Sequence, residues 1–150
     1  MSAIEAGAIN VRRMTPKDLD EVLVLIGKMT KGKSRITYRD LIANEPGGPL
    51  DLSLVAESNG QMVGFVLARV EFVYIPLVEV CLIYSVGVDP QYRSHRIGAA
   101  LVNELVKHCH LDGIPTVRAL VAEDNEPLRK FIEYLGFRPS NVINYDKATS

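Results

Sequence analysis

A mixed α/β layer, one sheet with helices packed against it, is the fold class that this 150-residue sequence predicts. Apolar residues recur at helical spacing over 19–29 and again over 97–109. Between those segments lie runs rich in β-branched residues at 52–57, 62–70 and 77–88, separated by short breaks. A strand over 117–122 and a helix over 127–135 then complete an order that does not alternate regularly between strand and helix.

Each element has its local cause. Residues 9–14 alternate and read as the first strand. Thr15-Pro16-Lys17-Asp18 is a helix start, with Thr15 or Asp18 available as cap and Pro16 suited to the first turn. Leu19, Val22, Leu23, Ile26 and Met29 form one apolar face. Lys31-Gly32-Lys33-Ser34 breaks that helix, and a weaker one is expected over 37–44, ended by Glu45-Pro46-Gly47-Gly48-Pro49. Ser58-Asn59-Gly60-Gln61 joins the next two strands as a hairpin turn. The strand 77–88 ends in Ser85-Val86-Gly87-Val88, where a glycine inside a β-branched run signals a bulge or a close backbone approach. The helix 97–109 buries Ile97, Leu101, Val102, Leu105 and Cys109. Gly136 terminates the last helix before Phe137, and 142–145 is expected as a final short strand.

Composition narrows the function classes. Hydrophobic residues make up 47% and charged residues 23%, the balance of a soluble globular protein with a real core. A net charge of −1 speaks against non-specific nucleic-acid binding. The longest apolar segment, 70–88, is broken by Glu71, Pro76 and Glu79, so no membrane span or signal peptide is expected and cytoplasmic location is the default. Cys81 and Cys109 read as buried thiols rather than a disulfide framework. His108-Cys109-His110 lies on a helix, where neighbours one and two apart diverge, so no metal site is expected.

The stretch Pro90-Gln91-Tyr92-Arg93-Ser94-His95-Arg96-Ile97-Gly98-Ala99-Ala100-Leu101 runs from a turn into a helix. The free N–H groups and positive dipole end of that helix would face an anion, with Arg93, Arg96 and Ser94 adding charge and a hydroxyl. On these residues alone, a phosphate cradle and an exposed basic helix start are equally good readings.

The surroundings separate them. Val86-x-Val88-x-Pro90-x-x-Arg93-x-x-Arg96-Ile97-Gly98-Ala99-x-Leu101 resembles the acetyl-CoA-binding motif of the GNAT acetyltransferase superfamily, with Arg96 where the first glycine is usual. Asn125-Glu126-Pro127 through Leu135-Gly136-Phe137 resembles its second motif, an Asn-initiated helix closing in Leu-Gly-Phe. Val55-Ala56-Glu57 with Gly60-Gln61-Met62-Val63-Gly64-Phe65 looks like its central hairpin, and Val11-Arg12-Arg13 before Asp18-Leu19 like its opening strand and helix.

The resemblance implies a single GNAT domain over 1–150, with one mixed, mostly antiparallel twisted sheet splayed at the acetyl-CoA site and flanked by helices. It implies acetyl-CoA as co-substrate, its pyrophosphate lying against Arg93, Ser94, His95, Arg96, Ile97, Gly98 and Ala99. The pantetheine arm is expected along Val86, Gly87 and Val88, with Asn125 and Leu128 on the other side of the splay. Asn125 also suits a helix N-cap, and the two roles are compatible.

The implied reaction is direct transfer of an acetyl or other acyl group to a primary amine of a small molecule or peptide, within a ternary complex. A lysine-like amine costs about 4–5 kcal/mol to deprotonate at neutral pH and an α-amine about 1, so the need for a base depends on the acceptor. The Val86 backbone N–H, or a neighbour's, is the candidate oxyanion donor. Tyr84 and Glu79, on the strand leading into the splay, are the candidate catalytic side chains, against the plainer readings of a packed aromatic and a solvated carboxylate. The family's usual acid, a tyrosine seven residues after the motif asparagine, is replaced by Ile132, with Tyr134 about 200° further round the helix. That substitution keeps open an alternative: a weakly active or inactive GNAT-fold module that binds acyl-CoA as a sensor. Acceptor selection falls to 28–49 and to Phe72-Val73-Tyr74-Ile75-Pro76. A homodimer, through sheet edges or 142–145, is compatible with this fold; nucleic acid and membrane are not expected partners.

Overall fold

The computed structural model describes residues 8–32, 47–48, 51–73 and 78–150. Among these residues five strands form one sheet in chain order: β1 (Asn10–Arg13), β2 (Leu54–Ser58), β3 (Gln61–Val73), β4 (Val78–Val88) and β5 (Val117–Ala119). The first four pair antiparallel, and β5 joins β4 in parallel. Three α-helices accompany them: α1 (Leu19–Thr30), α2 (Ile97–Leu111) and α3 (Glu126–Tyr134). This is the mixed, mostly antiparallel sheet with flanking helices that the motifs imply.

Local chemistry fixes the entry to the sheet. Asn59 and Gly60 both take positive φ, 53° and 74°, which matches the twist of a two-residue hairpin loop and sets Ser58 opposite Gln61. At the other end, Arg12 on β1 grips Asp18 through two hydrogen bonds of 2.8 and 2.9 Å and reaches Glu57 of β2 at 2.6 Å. Asp18 also accepts from the Thr15 backbone N–H at 2.7 Å, so the short 3₁₀ turn Pro16–Asp18 is tied to β1 just before α1 begins.

The pleat of β3 assigns one face of the sheet to each long helix. Phe65, with Val55, Met62 and Leu67, packs against Leu19, Val22, Leu25 and Ile26 of α1. Leu23 and Met29 close the edge of that cluster. One residue earlier, Gly64 faces α2: a Cβ there would stand 2.9 Å from Ile97 Cγ2 and 3.1 Å from Leu101 Cδ1. The α2 side buries Ile97, Leu101, Val102, Leu105 and Cys109, the face expected from the spacing. Cys81 and Cys109 are free and buried, and the Cys109 thiol, followed by burial, holds Cys81 well above the usual thiol range.

The described chain divides into two compact units, 1–120 and 121–150. The first holds the sheet with α1 and α2. In the second, Asn125 Oδ1 accepts from the Leu128 N–H at 3.3 Å and caps α3, and Gly136, at φ 94°, lies just beyond its end. Residues 142–145 form no strand; the segment is irregular, with Ile143 and Tyr145 exposed. Four alternating residues supply few apolar contacts, and none of the described residues pairs with them in a ladder. The helix expected over 37–44 lies outside the described residues, as do Tyr74, Ile75 and Pro76. No helix among the described residues is long and apolar enough to cross a membrane.

Candidate cofactor and acceptor site

One inserted residue in β4 shapes the site. Ile83 stands opposite Ala68 and Ser85 opposite Leu67, so Tyr84 is the extra residue of a β-bulge. Pairing between β4 and β5 ends at Ile83 and Ala119, immediately before it. From Tyr84 to Val88, β4 pairs with β3 alone among the described residues. A bulge bends its strand and breaks the alternation of backbone donors, which accounts for the parting of the two strands at this point. Val86, Gly87 and Val88 therefore present an open strand edge, the backbone surface an extended ligand can pair with.

The bulge signal in the sequence is thereby corrected: the bulge falls at Tyr84, not at Gly87. Gly87 answers to the other expectation, close approach. A Cβ on it would lie 2.5 Å from both Met29 Sδ and Phe65 Cε2, so α1 and β3 occupy the space a side chain would need.

After Val88 the chain is anchored by Asp89, which is buried. Its backbone N–H donates to the Val63 carbonyl at 2.8 Å and its carbonyl accepts from the Tyr92 N–H at 2.8 Å. Its carboxylate accepts from the Gln91 N–H at 3.0 Å and lies 3.4 Å from Lys28 Nζ on α1. These contacts launch the 3₁₀ turn Pro90–His95, which carries Arg93, Ser94 and His95. Arg96 follows at φ 57° and ψ 27°, in the left-handed region. The loop thus keeps the path for which a glycine is usual, at a cost of about 1–2 kcal/mol for the arginine that takes it.

Helix α2 begins at Ile97, with Ile97 and Gly98 buried and Ala99 half-buried. Arg96, at the N-cap position, makes no side-chain cap hydrogen bond, and the first turn contains no acidic residue. Its leading N–H groups and positive dipole end follow two exposed arginines, Arg93 and Arg96. A basic helix start beside an open strand edge fits a ligand with a diphosphate at one end and an amide-bearing arm along the other. The residues thus fit coenzyme A.

On the α1 face of the sheet, the Tyr84 hydroxyl donates to Oε1 of Glu71, thirteen residues earlier on β3. Arg69 Nε lies 3.7 Å from the same oxygen. Partial burial, followed by the Glu71 carboxylate, pushes the Tyr84 phenol up to about 12. Tyr84 is therefore a protonated hydrogen-bond donor near neutral pH. Glu79 stands opposite Phe72, and the alternation of β4 puts it on the face opposite to Tyr84 and Glu71. Glu71 had no motif to mark it in the sequence. Only the register of β3 against β4, with its bulge, brings it to Tyr84.

In the second unit, Asn125 and Leu128 open α3 as cap and first-turn donor, and Ile132 is the buried residue of that helix. Tyr134 is exposed.

Comparison with known proteins bears on the family and the fold. Residues 24–137 match the model of the Acetyltransferase (GNAT) family. An uncharacterized N-acetyltransferase of Methanocaldococcus jannaschii, MJ1207, is 29% identical over 144 residues, covering 89% of this chain. The chain spans 62% of that relative's length. Among solved structures, aminoglycoside N-acetyltransferase AAC(6')-Iy in complex with CoA superposes with a TM-score of 0.79 at 16% identity, covering 97% of this chain and 98% of its own. The aminoglycoside 6'-N-acetyltransferase AAC(6')-Ih of Acinetobacter baumannii gives a TM-score of 0.78 at 18% identity, over 95% of this chain and 99% of its own. With a family model matched over most of its length, the chain belongs to the GNAT acetyltransferase family.

Proposed function

We propose that this protein is an acetyl-CoA-dependent N-acetyltransferase, transferring an acetyl group to a primary amine of a small molecule or peptide by direct attack within a ternary complex. The observation that carries the reading is the continuity of three features: the unpaired β4 edge at Val86 to Val88, the turn held by Asp89, and the basic start of α2. Coenzyme A, when bound, supplies the activated acyl group as a thioester.

The chain's own residues have separable tasks in this reading. The N–H groups of the α2 first turn, with Arg93, Ser94, His95 and Arg96 before them, hold the diphosphate. The backbone of Val86 to Val88 aligns the arm, and the Val86 N–H is the donor offered to the thioester carbonyl oxygen. Asn125 and Leu128, in the second unit, are the further residues that the family resemblance assigns to the coenzyme. Tyr84, protonated, positions rather than deprotonates. Glu79, on the other face of the sheet, is the weaker candidate for a catalytic side chain. Solved structures of similar fold are named aminoglycoside N-acetyltransferases, which supports an amine acceptor here.

A second reading, an acyl-CoA-binding module with little turnover, is favoured by one observation. Ile132 is buried in α3 at the position where the family places its acid, and it offers no proton to the leaving thiolate. A thiol of pKa about 8.5 leaves tolerably without assistance, so the enzyme reading stands first. Thiol release from acetyl-CoA across a panel of amines decides between them. Turnover on any amine supports the enzyme, and saturable coenzyme binding with none supports the module.

A further inference from the structure

We infer that Lys28, in the last turn of α1, is a positioning residue for the coenzyme, acting through Asp89, whose carboxylate holds the turn Pro90–His95. The inference rests on the acetyltransferase reading and adds to it a residue outside the coenzyme motifs. The two oxygens of Asp89 have different partners. Oδ1 accepts from the Gln91 N–H at 3.0 Å and caps the turn, while Oδ2 accepts from Lys28 Nζ at 3.4 Å. The Asp89 side chain is 4% exposed and that of Lys28 50%. A lysine so exposed contributes little when it pairs with another surface group. Here the partner is a buried charge, and removing the counter-charge from a buried carboxylate is strongly destabilising.

The same turn of α1 meets β4 at a second point. Met29 fills the space beside Gly87, where a Cβ would stand 2.5 Å from its sulfur. The end of α1 therefore touches both the proposed pantetheine edge and, two residues on, the foot of the diphosphate turn. The main chain of Asp89 is already fixed, its N–H donating to the Val63 carbonyl of β3 at 2.8 Å. What remains to be set is the side-chain rotamer, and Lys28 on Oδ2 keeps Oδ1 aimed at Gln91. Charge adds a second reason. A carboxylate at the start of a turn that receives a diphosphate opposes that ligand unless a cation neutralises it, and Lys28 does so.

The test is a double-mutant cycle on coenzyme A affinity, read by calorimetric titration of the full chain, with melting temperatures measured alongside. Lys28→Met keeps the apolar stem, removes the charge, and is expected to weaken coenzyme A binding about three- to tenfold. Lys28→Arg restores a cation and should recover most of the affinity. Asp89→Asn keeps an oxygen for the Gln91 N–H and removes the charge that Lys28 answers. In that background Lys28→Met should change the affinity by less than about twofold. An effect of Lys28→Met that persists undiminished beside Asp89→Asn would mean direct contact between the lysine and the coenzyme, and overturns the assignment. So does a Lys28→Met protein that melts lower yet binds coenzyme A as wild type does. Should Asp89→Asn fail to fold, the two Lys28 variants decide: weaker binding in Lys28→Met with recovery in Lys28→Arg supports the assignment, and equal affinities overturn it. A wild type that binds no coenzyme A removes the acetyltransferase reading, and the assignment with it.

Discussion

Met29 and Gly87 meet so closely that the strand has room for no side chain at the centre of the proposed pantetheine edge. A Cβ at 87 would fall 2.5 Å from the Met29 sulfur, and the Phe65 ring stands at the same distance on β3. Gly87→Ala must push either the end of α1 or the β3 aromatic away from the sheet. It is expected to cost about 1–3 kcal/mol, as overpacking does. Gly27, on α1, is the control: nothing lies within 4 Å of its added Cβ, so Gly27→Ala should stabilise by about 0.5–1 kcal/mol. Urea midpoints of the two variants, moving in opposite directions, check this.

Arg96 separates backbone conformation from charge. It occupies the left-handed region at φ 57°, where an alanine is strained as an arginine is and a glycine is not. Arg96→Gly should melt higher than Arg96→Ala, by the equivalent of about 1 kcal/mol or roughly 2–4 °C for a chain of this size. Both variants lose the same cation, so their coenzyme affinities should fall together. Equal melting temperatures would mean that the loop relaxes out of the left-handed conformation.

Acid should unfold the protein partly through Asp18. Arg12, first among the causes, holds its carboxyl below the ordinary value, and burial opposes that only in part. The folded chain therefore keeps this group ionised at pH values where the unfolded chain has begun to bind the proton. Its stabilisation is complete above about pH 5 and is lost progressively as pH falls below 4. Asp18→Asn should lower stability at pH 7 by about 1.5–3 kcal/mol and flatten the pH dependence between these limits. Denaturant unfolding of both proteins across that range measures it.

Tyr84 should titrate late. With partial burial and Glu71 raising its phenol to about 12, its ultraviolet phenolate signal belongs above those of tyrosines near the usual 10. The difference between wild type and Tyr84→Phe isolates that signal. In Glu71→Gln it should move down towards 10, because the neighbouring negative charge is gone. A Tyr84 signal already at 10 in wild type would contradict the hydrogen bond.

What was legible in the sequence is what short-range chemistry dictates. Asn59-Gly60 announces its hairpin because both residues accept positive φ, and Asn125 announces the start of α3 because its side chain caps Leu128. The α2 face follows from spacing, since Ile97, Leu101, Leu105 and Cys109 recur at one angle. Less local features were not legible. The bulge sits at Tyr84, an ordinary strand former, while the conspicuous glycine at 87 records a tertiary contact with Met29. Glu71 reaches Tyr84 only because that bulge offsets the register of two strands. The alternation at 142–145 resembles a strand, yet alternation without a partner ladder makes none.

The central claim is that the turn from Pro90 into α2 cradles the diphosphate of coenzyme A, and calorimetric titration of coenzyme A tests it most directly. The account predicts saturable one-to-one binding that weakens as salt is raised. In Arg93→Ala with Arg96→Ala it should weaken by about tenfold or more, since charge-assisted contacts to phosphate are the strong ones. Absence of saturable binding, or an affinity that the paired substitution leaves unchanged, would contradict it.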